Sequence, residues 1–263
     1  MASSRDSASV NIKEALLHSY GFRQLKERLD GFPVWSRDGV RLVTVNRESI
    51  RADKLDSELG ADSLIFISRH KSEAGLPSLL VHPVGNWGRA VFGGSPLTLS
   101  PTSATRMRVA LLELKERGRL LESRGWHIGL EVTHHGPLTS VPTLFIEVGS
   151  AEAQWANSEA AEAAASAAMA AAEVSQSARS AVGFGGPHYA PAFTSLVLNQ
   201  DLAVGHMAPS YAFPLDSALV TQALEKTEEN PRLALVDWKG IKGRHREQLV
   251  EALQRLNLEI VKV

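Results

Sequence analysis

Thr143-Leu-Phe-Ile-Glu-Val148 is the stretch that decides the fold class. It carries apolar, aromatic or β-branched residues at almost every position, and a single glutamate interrupts it. A strand with one face in water alternates apolar and polar residues, whereas a continuous apolar run is typical of a strand covered on both faces. The stretch therefore predicts a buried strand inside a layered α/β protein.

Further runs of the same type predict the other strands of the sheet. They lie at residues 40–45, 63–68, 78–82, 128–133 and 233–237. Helical periodicity between and beyond them predicts helices at residues 11–20, 103–117, 155–179, 217–228 and 243–256. We expect residues 1–263 to form one domain, since strands interleaved with helices favour a single layered α/β architecture.

The segment 151–172 is rich in alanine, the residue with the best intrinsic helix propensity. A disordered alanine tract is the alternative, but the apolar Trp155 and Met169 favour a helix that docks on a core. We interpret this helix as scaffold.

The composition restricts the chemistry. The chain has 263 residues, 9 of them histidine, and 0 cysteines, which excludes disulfides, zinc sites with cysteine ligands and thiol nucleophiles. Hydrophobic residues make up 44% and charged residues 22%, as in globular proteins. No apolar run reaches the ~20 residues of a membrane span, and the N-terminus lacks the apolar core of a signal peptide. We therefore expect a soluble, cytoplasmic protein without a membrane partner.

The formal net charge of −1 argues at first against a nucleic-acid partner. However, residues 150–178 contain four acidic residues and no basic one, so the rest of the chain has 28 basic against 25 acidic residues. The net charge near zero is therefore the sum of an acidic helix and a basic C-terminal segment. It does not exclude a nucleic-acid partner.

Three histidine clusters lie beside strand ends or turns. His70 follows the strand at 63–68, His134 and His135 follow the strand at 128–133, and His188 lies in a Gly-Gly-Pro turn. A single loop histidine is more often an ordinary surface residue, but three in similar positions favour a shared site, because ligands bind where strands of α/β sheets end. Neighbouring residues of an extended chain point to opposite faces, so we expect His134 and His135 to diverge unless the turn at Gly136 rotates one of them.

Glu131 and Glu147 each interrupt a predicted strand. A carboxylate in a buried strand costs several kcal/mol unless it is paired or coordinated, whereas an edge strand with one wet face would leave it in water. Both alternatives remain open. If buried, Glu147 could orient a histidine, accept a proton or ligate a metal. Histidine and carboxylate donors suit zinc, although no two histidines have the spacing of ligands on one helix.

Two stretches are candidates for nucleotide contacts. Asn86 and Trp87 lie in a glycine-containing turn that could stack a base, although a buried tryptophan is an equally good interpretation. Lys239, Lys242 and Arg244 surround the start of a predicted helix. Free amides and positive charge at a helix N-terminus favour a phosphate site over an ordinary solvated face.

Several common motifs are missing from the sequence. There is no Gly-x-Ser-x-Gly elbow, no P-loop and no His-Glu-x-x-His helix. The glycines at 183–186 follow a predicted helix and precede a proline, so they do not fit a dinucleotide fingerprint.

Taken together, the motifs resemble those of the archaeal- and plant-type D-aminoacyl-tRNA deacylases over nearly the whole chain. The matching motifs are Ser68-Arg-His-Lys-Ser72, Val81-His-Pro-Val-Gly-Asn-Trp87, Glu131-Val-Thr-His-His-Gly-Pro137, Ile146-Glu-Val-Gly-Ser150, Gly185-Gly-Pro-His-Tyr-Ala-Pro191 and Asp237-Trp-Lys-Gly-Ile-Lys-Gly243. The resemblance implies a mixed central sheet flanked by helices, related to the phosphorylase/peptidyl-tRNA hydrolase architecture. It also implies zinc-dependent hydrolysis of the ester between a D-amino acid and tRNA. Members usually begin with an apolar first strand, whereas only five residues precede Asp6 here, so we expect either that the given start lies too late or that the strand is shortened to its last residues.

On this resemblance we predict roles for individual residues. Water would be activated by a histidine or by a zinc ion that the histidines help to bind, and the amides of Gly185 and Gly186 would stabilise the oxyanion. The predicted catalytic residues are His134, His188, Glu147, His135 and His70, and the predicted zinc ligands are His134, His188 and His70. The residues predicted to contact substrate or tRNA are Lys71, Asn86, Trp87, Gly185, Gly186, Tyr189, Lys239, Lys242 and Arg244. We expect the protein to be a monomer.

Two alternatives remain. One is another nucleoside- or peptidyl-tRNA-processing hydrolase, because this architecture hosts several chemistries. The other is a non-catalytic RNA-binding protein, which would need basic and aromatic residues but not histidines fixed beside Gly-Pro turns.

Overall fold

The computed structural model describes residues 1–175 and 177–263. Its strands, in chain order, are β1 (Ala2–Ser3), β2 (Arg23–Leu29), β3 (Phe32–Arg37), β4 (Val40–Leu42), β5 (Thr44–Val45), β6 (Leu64–Lys71), β7 (Ser78–Pro83), β8 (Gly85–Asn86), β9 (Thr98–Leu99), β10 (His127–Leu130), β11 (Thr143–Ser150), β12 (Ser180–Phe184), β13 (Ala203–Ala208), β14 (Leu233–Val236) and β15 (Glu259–Lys262). Its helices are α1 (Ser7–Ser19), α2 (Leu55–Leu59), α3 (Ala104–Arg117), α4 (Arg119–Ser123), α5 (Glu152–Trp155), α6 (Ser158–Glu173), α7 (Pro191–Asn199), α8 (Ser217–Glu225) and α9 (Gly243–Arg255). Short 3₁₀ turns lie at Ser49–Arg51 and Ser210–Ala212.

The strand that decides the fold class is central, as its sequence predicts. β11 lies in a four-stranded sheet of order β10-β7-β11-β6, which we call the mixed sheet. β11 pairs parallel with β6 and antiparallel with β7, and β7 pairs parallel with β10. Every residue of β11 is buried. The prediction of an α/β fold with a mixed sheet flanked by helices is confirmed, whereas the single domain over 1–263 stays a prediction.

A second four-stranded sheet, the parallel sheet, has the order β13-β12-β14-β15 with all pairs parallel. Helix α3 packs against both sheets, through β7 and β13, and against α6. The segment after β10 also joins the two sheets: the Val132 N–H donates to the His188 carbonyl (3.0 Å) and the Thr133 N–H donates to the Met207 carbonyl (2.9 Å). These bonds bring the histidines that follow β10 next to the turn that follows β12.

The alanine-rich segment is a scaffold helix, but its predicted bounds are wrong. Asn157 interrupts the segment and caps α6, since its side chain accepts from the Ala160 N–H at 2.8 Å. Most of the alanines of α6 are buried, and they allow the helix to lie close to α1 and α3. Val174 is already extended, so the helix does not continue to residue 179. Gln176 lies outside the described residues.

Other boundaries also differ from the sequence predictions. The predicted strand 40–45 is divided into β4 and β5, which belong to different sheets, and the strand predicted at 128–133 ends at Leu130. The sequence patterns missed strands β2, β3, β8, β9, β12, β13 and β15 and helices α2, α4 and α7. β2 is almost entirely exposed and charged, and β12 and β13 are rich in alanine and glycine, so neither has the apolar β-branched pattern of a buried strand. The expected short first strand is β1, two residues that pair parallel with β5.

Over residues 1–175 and 177–263, no helix is both long and apolar enough to cross a bilayer.

Candidate active site

Adjacent strands of the mixed sheet place the first three groups of the candidate site. Phe145, Glu147 and Gly149 point to one face of β11, because side chains alternate along a strand. His82 on β7 pairs with Phe145, and His70 on β6 pairs with Gly149, so Glu147 lies between the two imidazoles. Gly149 makes room for this arrangement, since a Cβ atom there would lie 2.7 Å from the His70 Cβ.

Two buried carboxylates organise the imidazoles. Glu147 Oε2 lies 3.4 Å from His70 Nδ1, and Glu147 Oε1 lies 3.7 Å from His82 Nε2. Glu131 lies 3.6 Å from His70 Nδ1 and 3.0 Å from His188 Nε2. The relative exposure is 0% for Glu131 and 3% for Glu147. Of the two alternatives left open by the sequence, the structure shows the buried, paired carboxylates.

The charges of this cluster shift the titration of its members. Burial alone would lower the pKa values of His70 and His82, but the contacts with Glu147 and the charge of Glu131 outweigh it and raise both pKa values. Burial alone would raise the pKa of Glu147, but its contacts with the same two imidazoles lower that pKa well below the usual range. The carboxylate of Glu147 is therefore ionised and shared between two imidazoles.

His134 and His135 lie on the same side of the chain, contrary to the expectation that they diverge. His135 has φ 43°, and this left-handed conformation turns the backbone so that the two ring centroids are 4.4 Å apart. Gly136 packs against the loop at residues 93–94, where a Cβ on Gly136 would lie 2.3 Å from the Gly94 nitrogen. Both rings therefore join the cluster.

Backbone carbonyls fix the orientation of three imidazoles. The Nδ1 atoms of His82, His134 and His135 lie 3.1, 2.8 and 2.6 Å from the carbonyls of Pro83, Val132 and Gly136. Because a carbonyl only accepts, each Nδ1 carries the hydrogen, and in the neutral ring the Nε2 lone pair is left to act as base or metal ligand.

The rings of His134 and His135 stay neutral. Burial and the neighbouring His82 lower the pKa of His134 well below its ordinary value, and they lower the pKa of His135 to about 4.

His188 lies at the open side of the cluster. Its side chain is 34% exposed, its Nδ1 is 2.9 Å from the Tyr211 hydroxyl, and its ring centroid is 4.7 Å from that of His134. Tyr189 follows it in the chain, and the Tyr189 hydroxyl lies 3.2 Å from His70 Nε2. The cluster thus extends from a buried carboxylate pair to a solvent-accessible imidazole.

Among residues 1–175 and 177–263, three overlapping groups of side chains could hold a metal ion. They are His82–His134–His135, Glu131–His134–His188 and His70–Glu131–Glu147, each with candidate ligand atoms within 4.8 Å of one another. The predicted ligand trio of His134, His188 and His70 is therefore divided, since His70 falls in a different group from the other two.

Several predicted contact residues differ from expectation. Asn86 and Trp87 are 7% and 8% exposed, and both Asn86 Nδ2 bonds go to carbonyls of Gly93 and Ser95, so the two residues do not form an open stacking platform. The Gly185 N–H donates to the Ala208 carbonyl at 2.7 Å, which removes this amide from the predicted oxyanion site.

The predicted basic residues are all exposed. Lys71 ends β6, and Lys239, Lys242 and Arg244 lie at the start of α9. The loop that carries Lys239 and Lys242 packs against the turn before His188. The closeness of this contact is shown by Gly240, where a Cβ atom would lie 2.5 Å from the Gly186 nitrogen.

The sequence patterns also left out members of the cluster. His82 ends the predicted strand 78–82, directly before a proline, so the signal used for the other histidines applied to it as well. Glu131 was recognised only as a possible buried carboxylate. Tyr211 lies in a 3₁₀ turn, and no local pattern relates it to His188.

The fold and the cluster define an α/β protein with a buried imidazole–carboxylate site of the kind that performs acid–base or metal-assisted hydrolysis. A model of the family described as D-aminoacyl-tRNA deacylase matches residues 57–261. The chain is 40% identical over 271 residues to the D-aminoacyl-tRNA deacylase of Thermococcus kodakarensis, covering 100% of this chain and 98% of that relative. It is 37% identical over 269 residues to the D-aminoacyl-tRNA deacylase of Pyrococcus furiosus, with the same coverage. The chain belongs to the D-aminoacyl-tRNA deacylase family.

A solved structure supports the fold independently. The crystal structure of a conserved protein of unknown function is similar to this chain with a TM-score of 0.91 and 32% sequence identity, and the match covers 99% of this chain and 93% of that chain. The same architecture is therefore present in a solved structure of a protein with related sequence.

His206 lies outside the histidine cluster but contacts Thr133, the residue before His134. Its Nδ1 lies 3.1 Å from the Thr133 hydroxyl and its Nε2 lies 3.0 Å from the Ser100 carbonyl. Burial lowers its pKa from 6.5 to about 3. The folded protein thus holds a neutral imidazole next to the residue that precedes His134.

We predict that His206→Ala destabilises the protein more at pH 7.5 than at pH 5. A histidine whose folded pKa is lowered costs stability as pH falls below its unfolded value, because the unfolded state then binds a proton that the folded state refuses. As the pH falls from 7.5 to 5, the free energy of unfolding of the wild type should decrease by about 2 kcal/mol because of His206. The variant should lack this decrease. Urea unfolding at both pH values measures this, with the exposed His18→Ala as control. An equal effect of His206→Ala at both pH values would contradict the assignment.

Proposed function

We propose that the protein hydrolyses the ester bond of D-aminoacyl-tRNA and releases free D-amino acid and tRNA. Membership of the D-aminoacyl-tRNA deacylase family supports the substrate class. The observation that carries the chemistry is the pair of Glu131 with His188 at 3.0 Å, at the open side of a cluster of buried imidazoles. A protein that only binds RNA has no use for buried carboxylates, which cost stability unless their charges are compensated.

His188 is the base in this proposal. The Glu131 carboxylate lies 3.0 Å from His188 Nε2, and its charge favours the tautomer that carries the hydrogen on Nε2, so that the Nδ1 lone pair faces the Tyr211 hydroxyl and the solvent. As the water oxygen attacks the ester carbonyl carbon, its proton passes to Nδ1. The negative charge of Glu131 stabilises the imidazolium that forms. The same proton then passes to the departing 3′ oxygen as the carbon–oxygen bond breaks, which leaves the carboxylic acid and the tRNA hydroxyl.

The donor set of the cluster fits a zinc ion. Nitrogen and oxygen donors suit this metal, and three imidazoles with Nδ1 fixed by carbonyls match the usual orientation of histidine ligands. In the part of the chain that the structure describes, His82 Nε2 and both oxygens of Glu131 are buried without a well-aligned hydrogen bond. We propose that His82, His134 and His135 would hold the ion. Bound there, zinc would polarise the ester carbonyl and lower the pKa of a bound water.

A monomeric, cytoplasmic enzyme is part of the same proposal. The basic surface of Lys239, Lys242 and Arg244 is assigned to tRNA phosphates, because its loop packs against the turn that precedes His188. Positive charge on a loop that packs beside His188 would contact the phosphates of the tRNA acceptor end.

We predict that His134→Ala and His188→Ala both abolish hydrolysis of D-tyrosyl-tRNA for different reasons. His188→Ala removes a base, which typically contributes about 10²–10⁴-fold to the rate, and it leaves the proposed zinc ligands intact. His134→Ala removes a ligand, so only this variant should lose zinc when the purified proteins are analysed for metal.

The control for this pair is His18→Ala, since His18 is exposed on α1. Unchanged hydrolysis in both site variants, with folding preserved, would refute the site. Equal zinc content in the wild type and His134→Ala would refute the ligand assignment alone.

We predict that Lys239→Ala combined with Lys242→Ala weakens tRNA binding and makes it less dependent on salt. Each lost phosphate contact reduces the slope of log affinity against log salt, so the double variant should lose about 1–2 units of slope. The matched control is Arg23→Ala with Lys26→Ala, which removes the same charge from the exposed strand β2. If the two double variants behave alike, the tRNA backbone lies elsewhere.

A further inference from the structure

A loop beside the candidate site exposes apolar side chains to solvent. We call residues 88–97, between β8 and β9, the rim loop. Val91, Phe92 and Leu97 of this loop are 62%, 63% and 55% exposed. Exposed apolar residues that occur singly need no explanation, but several of them within one short loop are typical of a binding surface.

The rim loop is anchored to the site by hydrogen bonds. The Asn86 side-chain amide donates to the carbonyls of Gly93 (3.0 Å) and Ser95 (3.3 Å). The Gly136 N–H donates to the Phe92 carbonyl at 3.0 Å, and the Leu97 N–H donates to the Gly88 carbonyl at 2.9 Å. Phe92 is therefore tied to the residue that directly follows His135.

Glycine contacts show how closely the rim loop fits its neighbours. Gly93 and Gly94 have φ 79° and 72°, in the left-handed region that favours glycine. A Cβ atom on Gly93 would lie 1.7 Å from the Ile50 carbonyl oxygen, and one on Gly94 would lie 3.2 Å from the Gly136 Cα. The backbone next to Phe92 thus packs closely against the segments at Ile50 and Gly136. The exposed Phe92 ring is therefore attached to a backbone that is held in place.

The rim loop also carries positive charge and has an aromatic counterpart. Arg89 is exposed, and the ion pairs found among residues 1–175 and 177–263 do not include it. Tyr211, which is 65% exposed, contacts His188 through its hydroxyl. Two exposed aromatic residues are therefore connected to the histidine cluster, Phe92 through its backbone bond to Gly136 and Tyr211 through His188.

We infer that the rim loop docks the unpaired 3′ end of the tRNA, with Phe92 stacking on a terminal base and Arg89 meeting a backbone phosphate. This inference rests on the proposed function, because hydrolysis of the 3′ ester requires the last nucleotides to lie beside His188. Unpaired bases are held mainly by stacking on aromatic side chains together with cationic contacts to the backbone, and the rim loop offers both.

Asn86 then has a different role from the predicted contact with the nucleotide. Its amide is occupied by the carbonyls of Gly93 and Ser95, so it acts as a positioning residue for Phe92 and does not touch the nucleotide. The partner is the terminal single strand and not the duplex, because a ring that stacks on a base face needs a base that is free of its pair.

Equilibrium binding of uncharged tRNA tests this inference without any hydrolysis. Wild type, Phe92→Ala and Phe92→Trp are each measured with intact tRNA and with tRNA lacking its 3′-terminal adenosine. We expect Phe92→Ala to raise the Kd for intact tRNA roughly tenfold, in line with the loss of one stacked base. Phe92→Trp should bind like wild type, and the truncated tRNA should bind wild type and Phe92→Ala equally. Leu120→Ala, which removes a side chain that is 65% exposed on α4, is the matched control.

The outcomes separate this inference from the proposed function. If Phe92→Ala binds intact tRNA like wild type, or weakens binding of both tRNAs equally, the rim loop does not hold the terminal base. That result would leave hydrolysis by wild type untouched. Conversely, suppose that the wild type shows the expected pattern of Kd values but hydrolyses no D-aminoacyl-tRNA. That result would support the role of the rim loop and refute the proposed reaction.

Discussion

The charge of two carboxylates inside the protein is the constraint on which the site depends. Glu131 and Glu147 lie among strands that are otherwise apolar, where an unpaired carboxylate would cost several kcal/mol. Imidazoles compensate these charges: His70 contacts both carboxylates, and His188 contacts Glu131 at the solvent side. Each imidazole is in turn oriented by a hydroxyl, a carbonyl or a carboxylate. The need to compensate buried charge therefore produces the ordered array of ring nitrogens on which the proposed chemistry rests.

The two sheets of the fold are needed to assemble this array. The mixed sheet alone supplies Glu147 and its neighbours on β6 and β7, but His188 follows a strand of the parallel sheet. The segment at Val132 and Thr133 hydrogen-bonds to that second sheet and carries the chain directly to His134. His206 Nδ1 also lies within hydrogen-bond distance of the Thr133 hydroxyl. The proposed site thus lies where the two sheets meet, and the loop that precedes α9 packs against the turn before His188.

Much of the site could be predicted because its residues follow strand ends and rigid turns. His134 and His188 were recognisable in that way and Glu147 as a carboxylate that interrupts an apolar strand, and the structure brings them together with the buried Glu131. What the sequence could not supply was orientation. The left-handed conformation of His135, for example, depends on the fit of the following glycine against the rim loop, which is a contact between distant segments. The same holds for Asn86, whose amide lies in a turn with the right composition for binding but is used to hold the loop.

The fold was predictable where burial imposes a continuous apolar pattern, as in β11, and not where strands are built from small or charged residues, as in β12, β13 and β2. The most direct test of the account measures tyrosine release from D- and L-tyrosyl-tRNA by wild type and by Glu131→Gln. The account predicts rapid release of the D-amino acid alone, and loss of that release when the charge of Glu131 is removed without changing its size. Equal hydrolysis of both enantiomers, or full activity of Glu131→Gln, would contradict it.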